Sequence, residues 1–231
     1  MSVFKFKEFI VRQDRSALKV GTDAMILGSL ITRNVKGKAL DIGAGTGVLS
    51  LMVAQMSPTI HMTGVEIDAD SYADCKENFE RSPFNDRLKS IQGDYKEVQG
   101  EYDLIFCNPP FYLNGLISDN DKINQAKHSD VAFVAELFSY VKYHLCQDGE
   151  FWCIYPFENR QEILKVAVNQ DFSLSIDYSV NSKKNIKSRS VMCFKKEGST
   201  IQESIITLRN SDGTYTEDYK TLTKEFHGKA L

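Results

Sequence analysis

Asn108-Pro109-Pro110-Phe111 closes an apolar run, Leu104-Ile105-Phe106-Cys107, and lies downstream of a glycine loop, Asp41-Ile42-Gly43-Ala44-Gly45-Thr46-Gly47. The asparagine side-chain oxygen and the carbonyl of Pro109 are two acceptors at the end of one strand. They suit an NH2 group whose lone pair is delocalised into a ring and which is therefore a poor nucleophile. Acceptors on its hydrogens favour a more tetrahedral nitrogen and stabilise the charge that develops as it attacks an electrophilic methyl group. No ionised general base is needed before transfer. Phe111 adds a flat apolar face on which a flipped base can stack, worth about 1–3 kcal/mol in comparable contacts. An isolated Asn-Pro-Pro is also an ordinary rigid turn, so the weight of the reading lies in what precedes it.

Lys38-Ala39-Leu40-Asp41-Ile42 reads as a short buried strand, and Val48 to Ala54 opens a helix. Gly43, Gly45 and Gly47 then sit at a strand-to-helix turn on the carboxyl edge of a parallel sheet, where open α/β sheets bind ligands. Val48 occupies the third-glycine position of the dinucleotide pattern. A nicotinamide dinucleotide therefore fits less well than S-adenosylmethionine, whose cationic amino acid end Asp41 would face. The strand Ile60 to Val65 ends in Glu66-Ile67-Asp68, about twenty positions after the loop, where a ribose diol requires an acceptor. Glu66 is the choice for the hydroxyls. A third strand, Leu88 to Ile91, leads to Gly93-Asp94, and Asp94 could accept from the adenine amino group. Singly, Asp68 or Asp94 reads equally well as a helix N-cap or a solvated loop residue; their order after three successive strands is the stronger signal.

Across Phe4-Lys5-Phe6, Lys19-Val20-Gly21-Thr22-Asp23, the glycine loop, the Asn108 tetrapeptide and the tail Tyr215-Thr216-Glu217-Asp218-Tyr219, the chain resembles the bacterial valine-tRNA adenine-N6 methyltransferases. The resemblance covers nearly the whole chain. The glycine loop is common to most class I methyltransferases and the tetrapeptide to many amino methyltransferases, so the segment Lys19 to Asp23 is the narrower signal. The resemblance implies S-adenosylmethionine-dependent methylation of the adenine just 3′ of the anticodon in valine tRNA. By position, Lys19, Thr22 and Asp23 would border the methionine end of the donor. Phe111 stands where relatives often have tyrosine, which keeps stacking and removes any hydroxyl hydrogen bond. Gly21-Thr22-Asp23 also reads as a capped helix start before Ala24-Met25-Ile26-Leu27.

Such residues need a doubly wound α/β fold: a mixed, Rossmann-like seven-stranded sheet of the class I methyltransferase type with a small amino-terminal cap. Ala69 to Arg81 and Val131 to Leu145 read as crossover helices, Glu150 to Tyr155 as the fifth strand and Glu158 to Gln170 as a further helix. Phe172 to Val180 and Val191 to Lys196 are the sixth and an antiparallel seventh strand. Residues 1–37 form a strand-and-helix cap, residues 38–231 the catalytic core, and the segment after Glu197 adds a strand and a terminal helix from Tyr215 to Phe226. The whole, residues 1–231, reads as one domain, with no separate target-recognition unit.

At 231 residues and 42% hydrophobic, the chain is long enough to bury a full core. Five cysteines without a C-x-x-C pair argue against a disulfide framework or a zinc ribbon and for a reducing cytoplasm. No metal site is expected, and Cys107 reads as a small buried residue rather than a nucleophile. The amino terminus has neither a signal-peptide core nor a membrane span, so a soluble, cytoplasmic protein is expected; a monomer is expected as well, although the residues themselves do not give the oligomeric state. The net charge is −3, yet cations cluster: Lys183, Lys184, Lys187, Arg189, Lys195 and Lys196 in one acid-free stretch, and Lys5, Lys7, Arg12, Arg15 and Lys19 near the amino terminus. The first group would form a loop projecting from the same sheet edge as Asn108 and could hold RNA phosphates. Lys127 and His128, in a long loop from Leu113 to Ser129, extend that surface, with His128 reading equally well as a solvent-exposed loop residue. The same acceptors could also serve a guanine amino group in ribosomal RNA or a glutamine amide in a protein. A non-catalytic RNA-binding or donor-sensing protein is the alternative from outside enzymology.

Overall fold

The structure, a computed structural model, describes residues 2–31, 34–109, 120–198 and 200–227, with the side chains of residues 120–131 excepted. The chain opens with a hairpin of β1 (Val3–Lys5) and β2 (Ile10–Arg12) and a helix α1 (Thr22–Leu30). Strand and helix then alternate: β3 (Gly37–Ile42), α2 (Val48–Met56), β4 (Ile60–Glu66), α3 (Ala69–Arg81), β5 (Leu88–Gln92), β6 (Tyr102–Cys107), α4 (Asn120–His144), β7 (Leu145–Pro156) and α5 (Arg160–Asn169). β8 (Ser173–Lys183), β9 (Ile186–Lys195), β10 (Gln202–Arg209) and α6 (Glu217–Thr223) complete it. The main sheet has the order β10-β8-β9-β7-β6-β3-β4-β5, with β9 antiparallel to both neighbours.

Period-two alternation explains why this sheet is covered on both faces. Ala39, Leu104, Phe106, Trp152 and Ile154 join one core with residues of α1, α2, α3 and α6. Their neighbours Leu40, Ile42, Ile105, Cys107, Phe151 and Cys153 join a second core with α4 and α5. The connection from β5 to β6 holds only a 3-10 turn, Tyr95–Glu97. On the α4 and α5 side, β4 and β5 are consequently left with an open groove of about 710 Å³, bounded by His61, Thr63 and Ile91 and reaching Gly93 and Asp94.

Three expectations are corrected. The strand after Glu197 joins the main sheet beside β8, so the sheet has eight strands, not seven. The crossover helix begins at Asn120, so Lys127 and His128 lie on helical backbone instead of in a loop. The basic loop between the sixth and seventh strands is a long hairpin: Lys183 pairs with Ile186 across a tight turn in which Asn185 takes φ 65°, a left-handed conformation that asparagine tolerates. The ladder continues to the tip through register shifts on either side of Asn181.

The hairpin is tied to α5 by a buried pair. Arg160 donates to Asp177 Oδ2 through Nε at 2.7 Å, and Ser190 Oγ donates to Oδ1 at 2.8 Å. Asp177 is buried and the arginine nearly so. Arg160→Ala leaves that carboxylate with a single hydroxyl donor, and a loss of about 3 kcal/mol in unfolding free energy is expected. Urea denaturation with an unchanged m-value would register it.

Candidate active site

β3 and β6 are adjacent and parallel, with Ile42 opposite Cys107. The glycine loop and Asn108 therefore leave neighbouring strand ends side by side. Gly43 and Ala44 both donate to the carbonyl of Val65, at 2.9 and 3.0 Å, which curls the loop over β4. Gly43, Gly45 and Gly47 take φ of 71°, 55° and 78°, a region side chains strain to occupy. Their surroundings differ. A Cβ at Gly43 or Gly45 would meet nothing within 4 Å, whereas one at Gly47 would stand 2.5 Å from Phe79 Cε1 and 3.0 Å from Cys75 Sγ on α3. The first two face open space that a ligand can enter; the third is a packing residue.

Asp41 is fully buried beneath this loop. Its Oδ2 accepts from Ser50 Oγ at 2.8 Å and from Ser50 N–H at 3.2 Å, tying β3 to α2. Oδ1 is buried with no hydrogen-bond partner among the described residues. Burial pushes the carboxyl up to about 7, the Glu66 charge adds to the rise, and the two Ser50 bonds oppose it. A carboxyl raised in this way contributes stability that is full below its unfolded value and lost as pH rises through about 7. The free protein is expected to lose unfolding free energy as pH rises from about 4 to about 7, with no further loss from this group above that, and Asp41→Asn to flatten that slope. Denaturation midpoints of both proteins across this range provide the check.

The acids beyond β4 and β5 are held in the expected order. Glu66 uses Oε2 to accept from Gly45 N–H at 2.8 Å and Oε1 to accept from Asp68 N–H at 2.9 Å, bracing the glycine loop. Ile67, between them, is 70% exposed, an apolar face presented to solvent. Asp68 caps α3 by accepting from Ser71 N–H at 2.8 Å, and that bond holds its carboxyl below the ordinary range. Gly93 donates to the Glu66 carbonyl at 3.0 Å, and Asp94 caps the following 3-10 turn. Asp68 and Asp94 are therefore both caps, and Asp94 Oδ2 also pairs with Lys96 Nζ at 3.3 Å.

The segment between β2 and α1 is strapped to α3 and β9. Asp74, fully buried on α3, accepts from the backbone N–H groups of Arg15 and Ser16 at 3.0 and 2.8 Å and from Arg15 Nη1 at 3.0 Å. Lys19 donates its ammonium to the carbonyl of Ser16 at 2.8 Å and to that of Gln13. Gln13 Oε1 accepts from Val20 N–H at 2.8 Å. Thr22 starts α1 behind the N-cap Gly21 and is exposed. Asp23 Oδ2 accepts from Arg189 Nε on β9 at 2.8 Å. Lys19 is engaged by main-chain carbonyls, which orient it into the strap, and Arg189 pairs with Asp23, which ties strand to helix. Sequence reasoning missed Ser50, Asp74 and Gln13. For Asp74 a signal existed: Ser71, Asp74 and Asn78 recur on the inner face of α3 beside Cys75 and Phe79, where uncompensated polar groups are costly.

On the acceptor side Asn108 is half-buried and Pro109 buried. Pro110 and Phe111 lie outside the described residues, as do the side chain of Lys127 and much of the Leu113 to Ser129 segment. Of the amino-terminal cations, Lys7 pairs with Glu225 at 3.7 Å, Arg12 with Glu77 at 3.6 Å, and Arg15 with Asp74 and Glu77 at 3.0 and 3.1 Å. The packing of β2 along α3 brings Asp74 and Glu77 up, while Glu225 comes from the segment after α6, so Lys7, Arg12 and Arg15 each have an acidic neighbour; Lys5 shows no such pair among the described residues. Lys187 lies over the Phe157 ring at 4.4 Å. Lys183 and Lys184 stand at the hairpin tip, on the sheet edge that carries Asn108.

The strand order and the loops gathered on its carboxyl edge define a class I methyltransferase fold. Residues 15–174 match the methyltransferase small domain family. A solved structure described as a predicted O-methyltransferase, from Agrobacterium tumefaciens, aligns with TM-score 0.67 at 15% identity, covering 91% of this chain and 99% of its own; at that identity the likeness is one of fold alone. Proteins named tRNA1(Val) (adenine(37)-N6)-methyltransferase are similar over nearly their full length. That of Flavobacterium psychrophilum is 32% identical over 98% of this chain and 100% of its own, and that of Dyadobacter fermentans 35% over 98% and 97%. The chain belongs to the family of these bacterial tRNA adenine-N6 methyltransferases.

Proposed function

We infer that the protein methylates the exocyclic N6 of an adenine in tRNA with S-adenosylmethionine, the target being adenine 37 of valine tRNA, as the names of its relatives state for them. The observation that carries this reading is the adjacency of an open glycine loop and an Asn108–Pro109 acceptor pair at neighbouring strand ends. The chain acts as one catalytic domain and as a monomer. Among the described residues no helix is long and apolar enough to cross a membrane.

The residues present fit the donor. Open space before Gly43 and Gly45 accommodates a ligand against the main chain, and the unpartnered Oδ1 of Asp41 suits a cationic group. Asp41, Asp23 and Thr22 would hold the amino acid end, with Lys19 keeping the strap in place; Glu66 and Asp68 would take the ribose hydroxyls, Ile67 the adenine face and Gly93-Asp94 the adenine edge. When bound, S-adenosylmethionine supplies an electrophilic methyl group on a sulfonium. Asn108 accepts from one hydrogen of the target amine through its side-chain oxygen and the Pro109 carbonyl accepts from the other, which directs the nitrogen lone pair at the methyl group. The positive charge that develops on nitrogen is stabilised by the same two oxygens. Pro109 holds φ near about −65° and so fixes the acceptor spacing, while Phe111 is assigned to stack on the flipped base.

Nucleoside mass spectrometry after incubating the protein with S-adenosylmethionine and unmodified valine tRNA, bulk tRNA or ribosomal RNA tests the assignment. N6-methyladenosine in valine tRNA is expected. A methylated guanine in ribosomal RNA, or no product in any pool, would overturn the substrate.

A further inference from the structure

The tail Tyr215 to Tyr219 has no part in the donor or acceptor chemistry, yet it builds an ordered stack where β10 ends. Tyr219 is buried, and Tyr215 lies on it with ring centroids 4.7 Å apart and 24° between planes. The guanidinium of Arg209 lies over Tyr215 at 4.2 Å from the ring centroid. Two hydrogen bonds hold it there: Nη2 donates to Tyr215 Oη at 3.0 Å and Nη1 to the carbonyl of Gly213 at 2.7 Å. The turn that supplies Gly213 is closed by Asn210 N–H on the Thr214 carbonyl at 2.8 Å and by an antiparallel bridge between Arg209 and Tyr215. The stack therefore runs from a buried ring through a half-buried one to an exposed planar cation. Among the described residues no carboxylate pairs with that cation.

Its position gives this arrangement a use. Arg209 is opposite Lys183 in the β8–β10 register, and Lys183 and Lys184 have no acidic partner among the described residues. β10 runs parallel to β8, and β8, through β9, runs with β7 and β6, so Arg209 ends on the same edge as Asn108. Four inter-strand steps separate β10 from β6, about 19 Å. An arginine already fixed on an aromatic ring has lost much of its rotamer freedom before any ligand arrives, and unpaired RNA bases stack on guanidinium planes.

We propose that Arg209, seated on Tyr215 and Tyr219, is a stacking platform for an unpaired anticodon-loop base that flanks the nucleotide presented to Asn108. Lys183 and Lys184 take the phosphates beside it. The proposal rests on the tRNA reading above. Binding of an unmodified valine tRNA transcript to the full-length protein and to Arg209→Lys, which keeps the charge and loses the plane, tests it. Arg209→Lys is expected to weaken binding about 5- to 100-fold. The slope of log affinity against log salt, the thermal midpoint and the donor affinity should not change. Transcripts with single abasic sites across the anticodon loop extend the test: at one position wild type and Arg209→Lys should bind equally, because the stacked base is gone. Equal binding of the unaltered transcript, a loss accompanied by a lowered thermal midpoint, or no abasic position that closes the gap would each overturn the platform. Wild type that methylates valine tRNA and is indifferent to Arg209→Lys removes this inference alone; wild type that does not bind the tRNA removes the substrate reading with it.

Discussion

Asn108→Ala should reduce methyl transfer about 10²–10³-fold while leaving S-adenosylmethionine affinity unchanged. The magnitude follows from removing one preorganised dipole aimed at a charge that develops only in the transition state. Asn108 lies at the end of β6, half-buried, and among the described residues its side chain is not used to hold the fold together. The free energy should therefore be lost in kcat with little change in the thermal midpoint. Single-turnover transfer to valine tRNA, together with calorimetric titration of the donor, separates the two quantities. Equal losses in donor affinity and transfer would mean that Asn108 serves the donor site and that the acceptor role is wrong.

Gly45→Val and Gly47→Ala should fail in different ways although the two glycines are close neighbours in one loop. At Gly45 a side chain projects into open space beside the loop and strains a backbone at φ 55°. Donor affinity is expected to fall at least about 100-fold, with the backbone strain costing roughly 1–2 kcal/mol of stability. At Gly47 the added Cβ would stand 2.5 Å from Phe79 Cε1, inside a packed face between α2 and α3. That substitution should cost about 1–3 kcal/mol from overpacking, in addition to strain at φ 78°, and act first on the denaturation midpoint. Donor titration and chemical denaturation of both variants would expose the difference. A stable Gly47→Ala protein that has lost donor binding would place Gly47, too, at the ligand face.

The alternation of strands and helices was readable because its signals are local. Ala69 to Arg81 carries an acid in its first turn and a cation in its last, and the structure returns a helix over the same residues. Periodicity failed where elements are continued by pairing or packing. Asn181 to Lys183 holds no apolar residue and Ile186 to Ser190 only its first, yet both stretches are strand, because a tight turn keeps the two backbones in hydrogen-bond register. Charge was read least well. Arg12 and Arg15 look like an exposed basic run until α3 brings Asp74 and Glu77 against them.

Glycine spacing, the Asn-Pro-Pro turn and the acids closing successive strands are short-range patterns, each dictated by what a backbone can do over a few residues, so the donor loop and the acceptor turn could be located before any coordinates. The pairing of charges is a different kind of property. Asp23 and Arg189 are 166 residues apart, and nothing in either neighbourhood announces the other. Whether an arginine meets a carboxylate, a carbonyl or an aromatic ring depends on which elements the sheet order brings together, and that order minimises exposed apolar surface over the whole chain. Hence Arg189 became a tie to α1, Lys19 a strut within the strap and Arg209 an exposed plane on a tyrosine, three cations alike in sequence and separated in role by packing.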